Sequence, residues 1–224
     1  MPYSIALDGP AGTGKTTMAK LIADKLDFLY VDTGAMYRAL AVYFLSSGTD
    51  TGDEKAMEEA LRDVTVEIKH ENGEQRVYVN GDDVTARLRT EEVSKMASVT
   101  SQYAAVRGKL LDLQRSLAID NDVIMDGRDI GTVVLPNATI KFFLTAKPEV
   151  RALRRYNQLV EQGKLSGATL ETIEAEIRER DYRDSHRKNA PLIKADDAIE
   201  VDTSELSLEE EINQIISLIS ERIN

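Results

Sequence analysis

Cysteine is absent from this 224-residue sequence, which excludes disulfides and thiolate metal centres. Histidine is almost absent: His70 and His186 stand isolated, a poor basis for a metal site or an acid–base relay. No stretch approaches the roughly 18 apolar residues needed to span a bilayer. Residues 1–7 are too short for a secretory leader and lack its basic flank, so a cytoplasmic protein with no membrane partner is expected. Positive charge is in deficit too, with 28 Lys and Arg against 39 Asp and Glu for a formal net charge of −11. Such a chain is ill suited to track a polymeric nucleic acid, whose affinity comes from neutralised phosphates. Any phosphate it binds must be met by cations gathered locally. There is no internal repeat, low-complexity tract or long linker. The composition, 42% hydrophobic and 30% charged, is that of an ordinary globular protein. The length suits one α/β domain with an appendage.

The apolar pattern alternates between strand and helix. Residues 3–7 form a short apolar run leading into a Gly-rich turn, and Met18, Ala19, Leu21, Ile22 and Leu26 then recur at helical spacing. Residues 28–31 read as a second strand, and Asp32 or Thr33 can cap a helix running from about residue 34 to 46–48. This order predicts a parallel sheet with crossover helices. Residues 64–69 and 76–80 instead alternate apolar with polar around Glu71-Asn72-Gly73-Glu74, which predicts an antiparallel hairpin within an inserted segment of about residues 55–99. Further helices are expected over 104–119, 149–160, 170–186 and 208–223, and strands over 123–125, 140–144 and 198–201.

Residues 9–16 read Gly9-Pro10-Ala11-Gly12-Thr13-Gly14-Lys15-Thr16, matching G-x-x-x-x-G-K-[ST] without exception between a predicted strand and a predicted helix. Glycines let successive amides turn inward toward a polyanion, and the following helix presents its positive end to the same phosphates. Lys15 can reach the β- and γ-phosphates, and the Thr16 hydroxyl can ligate Mg²⁺. A phosphate loop fixes nucleotide binding but not the reaction. The D-x-x-G and N-K-x-D patterns of GTPase switches are missing, and Leu165-Ser166-Gly167-Ala168 lacks the rest of a transporter signature. A small-molecule kinase is the leading class, and a nucleotide-binding regulatory module without turnover is the alternative from a different class.

An acceptor should sit outside the carboxyl ends of the strands. Two segments are placed there, Asp32-Thr33-Gly34-Ala35-Met36-Tyr37-Arg38 and Asp126-Gly127-Arg128-Asp129. Read alone, Asp32 is also a good helix cap and Arg128–Asp129 a plausible surface pair. Arg180, Asp184 and Arg187 share a helical face, with Arg183 beside it, while Arg151, Arg154 and Arg155 form another basic row. These rows flank the Gly-containing segment 162–167, an arrangement suited to a lid that excludes water.

At these residues the chain resembles the bacterial cytidylate kinase family over essentially its whole length. The phosphate loop is shared widely. The run Asp126-Gly127-Arg128-Asp129-Ile130-Gly131-Thr132-Val133-Val134 and the helix Glu179-Arg180-Asp181-Tyr182-Arg183-Asp184 are more specific, supported by Arg89-Thr90-Glu91-Glu92-Val93. The resemblance implies a P-loop NTPase three-layer α/β fold with a parallel central sheet. It also implies one domain over 1–224: a core of about 1–54, 100–150 and 188–224, a nucleotide-monophosphate-binding insert of about 55–99 carrying a small antiparallel sheet, and a lid over about 151–187. It implies transfer of the γ-phosphoryl group of ATP to CMP or dCMP with Mg²⁺; a monomer is expected, and UMP and AMP are the competing acceptor readings. Asp8, residues 9–16, Arg154 and Arg155 would hold ATP, and Thr16 and Asp126 the metal. Thr33, Asp184 and Arg180 would hold the acceptor sugar, and Arg38, Arg128 and Arg187 its phosphate. Ser98, Arg107 and Asp129 would read cytosine. Lys15, Arg128, Arg180 and Arg187 would stabilise the transferring group.

Overall fold

The computed structural model describes residues 2–71, 74–205 and 207–223. In chain order the elements are β1 (Ser4–Asp8), α1 (Lys15–Leu26), β2 (Leu29–Asp32), α2 (Thr33–Ser47), α3 (Glu54–Asp63), β3 (Val66–Glu71), β4 (Glu74–Val79), β5 (Asp82–Asp83), α4 (Glu91–Thr100), α5 (Ala104–Ser116), β6 (Val123–Gly127), β7 (Ile140–Thr145), α6 (Pro148–Glu161), α7 (Leu170–His186), β8 (Ile199–Asp202) and α8 (Leu208–Ile223). A 3-10 turn occupies Thr85–Arg87 and a π-helical turn Ile130–Val134.

The central sheet has five parallel strands in the order β2-β6-β1-β7-β8. Helices cover both faces, so its strands are nearly all apolar. Along β1 and β6 the side chains alternate between two cores. Ala6, Val31, Val123 and Met125 pack with α2, α4 and α5. Ile5, Leu7, Ile124, Phe142 and Leu144 pack with α1 and α8. The parallel three-layer fold expected from the sequence is therefore present.

The second sheet, β3-β4-β5, is antiparallel, as the alternation over 64–80 predicts. Residues 72 and 73 of the expected turn lie outside the described residues. The hairpin closes against the edge of the main sheet. On the directly opposed pair His70 and Gln75, Gln75 bonds Asp32 N and O at 2.9 and 3.1 Å, and His70 Nε2 lies 3.1 Å from Tyr30 O. These side chains occupy the hydrogen-bonding groups of edge strand β2. Helices α3 and α4 were not read from the sequence. Each contributes few apolar residues, Met57 and Leu61 in α3 and Val93 and Ala97 in α4, and all four join the α2 core.

Candidate functional site

Parallel register brings three strand ends level. Asp32 lies opposite Asp126, and Asp8 opposite Gly127. The chain must turn sharply at each end, and glycine makes two of the turns possible. Gly9 has φ +145°, and a Cβ there would lie 2.1 Å from Leu144 O. A Cβ on Gly127 would lie 2.8 Å from Thr33 Oγ1. Above these ends opens a cavity of about 350 Å³. Its lining includes Lys15 and Thr16 of the phosphate loop, Asp32, Thr33, Tyr37 and Arg38 at the end of β2 and the start of α2, and Ser98, Arg107, Arg128, Asp129, Arg180, Asp184 and Arg187.

On the phosphate-loop side, Gly12 and Gly14 have φ of +81° and +88°, which L side chains rarely adopt. Lys15 Nζ folds back onto Pro10 O at 2.5 Å and Thr13 Oγ1 at 3.2 Å. Burial, and then the charge of Arg128, hold its ammonium well below the usual lysine range. Thr16 Oγ1 donates to Asp126 Oδ2 at 2.8 Å, and Tyr30 OH donates to Oδ1 at 3.1 Å. Burial, and then the neighbouring Asp32, push the Asp126 carboxyl up to about 6. Asp8 directly precedes the loop, but its carboxylate turns away from it to accept Ile130 N and Gly131 N.

Elsewhere in the lining the arginines divide into paired and unpaired. Arg128 Nε donates to Asp184 at 2.9 Å. Asp129 is buried between Arg107 and Arg187 rather than lying in a surface pair. Arg38 pairs with Asp32, which also caps α2 by accepting Ala35 N. Arg180 forms no ion pair or side-chain hydrogen bond among the described residues, and its Nε is buried without a partner. Burial and Arg128 bring Arg180 down to about 10. Ser98 Oγ and Arg38 Nε are likewise buried and unpartnered. Burial alone would raise the Asp184 carboxyl, but Arg128 and Arg180 outweigh it and hold it below its usual value. A pocket whose cations, Lys15, Arg38, Arg107, Arg128, Arg180 and Arg187, outnumber its carboxylates, Asp32, Asp126, Asp129 and Asp184, is electrostatically prepared for an anion.

A second cavity of about 510 Å³ lies behind the phosphate loop, bordered by Gly12, Thr17, Arg154, Arg155, Gln158 and Glu211. Arg154 is anchored to Thr203, and Arg155 donates to Gln158 at 2.8 Å. Two participants were given no role by the sequence reading. Tyr30 supports Asp126, and the ring of Tyr37 lies 5.4 Å beneath Arg107. Both are ordinary core-type aromatics by pattern, so only their distance to charged partners reveals them.

A family model described as cytidylate kinase matches residues 5–221. The chain is 46% identical over 218 residues to a cytidylate kinase of Ligilactobacillus salivarius, covering 97% of this chain and 96% of that one. It is 49% identical over 220 residues to a cytidylate kinase of Geobacillus kaustophilus, covering 98% and 97%. Among solved structures, a shikimate kinase from Bacteroides thetaiotaomicron is similar with TM-score 0.50 at 15% identity, covering 97% of this chain and 98% of that one. An uncharacterized protein from Eubacterium ventriosum gives TM-score 0.53 at 13% identity, covering 99% and 100%. At such identities these two structures speak for the fold alone.

Proposed function

This chain belongs to the cytidylate kinase family, and we propose from that premise that it transfers the γ-phosphoryl group of ATP to CMP or dCMP, giving ADP and CDP or dCDP. The observation that carries the reading is one cavity lined both by the phosphate loop, with Lys15 and Thr16, and by a second set of cations, Arg38, Arg128, Arg180 and Arg187. A nucleotide sensor has little use for the second set. The cavity behind the loop would take the nucleoside end of ATP, beside Arg154 and Arg155.

The loop amides of residues 12–16 and the α1 terminus would hold the triphosphate. Lys15 must leave Pro10 O to reach it, and burial leaves its charge poorly solvated until it does. Thr16 and Asp126 fit Mg²⁺, as two hard oxygens 2.8 Å apart, one of them on a buried carboxylate that makes no ion pair among the described residues. A metal held by Thr16 and Asp126 would offset the charge that builds up in transfer. Arg38, Arg128 and Arg187 would grip the acceptor phosphate, and Thr33, Asp184 and Arg180 its sugar. The unpartnered Arg180 can follow the transferring group. A monophosphate dianion is already nucleophilic, so positioning and charge stabilisation suffice and no general base is required. Cytosine offers a 4-amino donor, for which Asp129 is an acceptor, while Arg107 and Ser98 meet the remaining edge. Uracil presents an oxygen at the same position and would leave a buried group unpaired.

The test is ADP formation with CMP, dCMP, UMP and AMP, for the wild type and for Asp129→Ala. The wild type is expected to favour CMP and dCMP, and the variant to lose at least about tenfold of that preference over UMP. A wild type that prefers UMP, or a variant with unchanged preference, overturns the base-reading assignment.

A further inference from the structure

We infer that Asp8 is a positioning residue for acceptor recognition: its carboxylate holds the π-helical turn after β6, so that Asp129 need not cap that turn and stays with Arg107 and Arg187 in the acceptor pocket. The inference rests on the proposed reading of that pocket as a CMP site. By sequence, Asp8 belongs with the phosphate loop, one residue before Gly9. Its side chain is committed elsewhere. Oδ1 accepts Ile130 N at 2.8 Å, and Oδ2 accepts Gly131 N at 2.7 Å. The residue is 5% exposed and makes no other side-chain hydrogen bond among the described residues.

The reason lies in the turn it holds. The first amides of a helical turn have no partner inside the turn and need an external acceptor. The residue before the turn usually provides one, and Asp is among the best at doing so. Here that residue is Asp129, and its side chain makes no capping bond. It is spent instead on Arg107 and Arg187, inside the pocket. Asp8 supplies the missing cap from a neighbouring strand, and the register of Asp8 opposite Gly127 gives it the reach. Without Asp8, the nearest substitute cap is the Asp129 carboxylate, which would leave Arg107 to serve its own turn.

The experiment is steady-state kinetics of Asp8→Asn, a variant of the same size that can accept only one of the two amides. The KM for CMP should rise roughly tenfold or more, the preference for CMP over UMP should fall, and the KM for ATP should stay within about threefold. A rise in the ATP KM with the CMP KM unchanged would return Asp8 to the donor side. Unchanged KM values for both, or a fall in kcat alone, would likewise overturn the inference. If circular dichroism shows Asp8→Asn unfolded, Asp8→Glu keeps the charge and displaces the carboxylate by one methylene from the Ile130 and Gly131 amides. It should shift the CMP KM and the base preference in the same direction, and failure to do so overturns the inference. A wild type that does not prefer CMP refutes the acceptor reading by itself. The acceptor KM against the ATP KM, measured with whichever monophosphate turns over, still decides the role of Asp8.

Discussion

Single residues here are fixed by clearance as much as by charge. Gly9 has a backbone conformation that disfavours any Cβ, and a Cβ would also strike Leu144 O. Gly9→Ala is therefore strained twice over and should lose about 3 kcal/mol of stability in urea unfolding, with phosphate-loop function lost as well. A variant with the wild-type midpoint would contradict the close approach of β1 to β7. The cations are governed by a different limit. Lys15 and Arg180 are each buried among like charges, a cost tolerated where an anion is to be bound.

At the scale of elements, one side chain ties three segments together. Arg151, on α6 and 2% exposed, donates from Nε to Ala146 O, from Nη1 to Ala11 O in the phosphate loop, and to both oxygens of Asp181 on α7. Arg178 also links α7 to α6 through Glu149, but at the surface, where ion pairs contribute little. Arg151→Met should therefore cost about 2–4 kcal/mol, because it strands Asp181 and two carbonyls. It should also raise the ATP KM through Ala11. Arg178→Ala should change thermal unfolding little. Equal effects of the two variants would show that α6 and α7 are not held to the loop in this way.

Across the whole molecule the charge is strongly negative yet locally inverted. Most carboxylates with depressed values sit at the surface, among them Glu149, Asp197 and Asp202, and are ionised in both folded and unfolded chains near neutrality. Asp8 differs, since burial, partly offset by the Gly131 and Ile130 amides, raises it from 3.8 to about 6. Between those values the folded chain retains a proton that the unfolded chain has lost, so stability falls as pH rises through the window. The raised value corresponds to about 3 kcal/mol. Thermal unfolding of the ligand-free protein should show a fall in Tm from pH 5 to about pH 7 that is smaller in Asp8→Asn. A Tm that climbs over this window, or an identical slope in the variant, would refute the assignment.

The phosphate loop, the alternation of strands with crossover helices and the two basic rows were legible because each is local, set by glycine spacing, apolar periodicity or helical register. The residues of the pocket wall were nameable by resemblance, but their partners were not. Asp32 proved to be both a helix cap and the partner of Arg38. Arg151 stood in a basic row by spacing and became a bracket by burial. Asp8 was assigned to the nearest motif, whereas parallel register carries its carboxylate 122 and 123 residues away in sequence, to the turn that Asp129 does not itself cap. Sequence determines which groups a segment offers. Only tertiary structure decides which of them is already spent, because a hydrogen-bonding group buried by folding must find its partner wherever the chain has brought one.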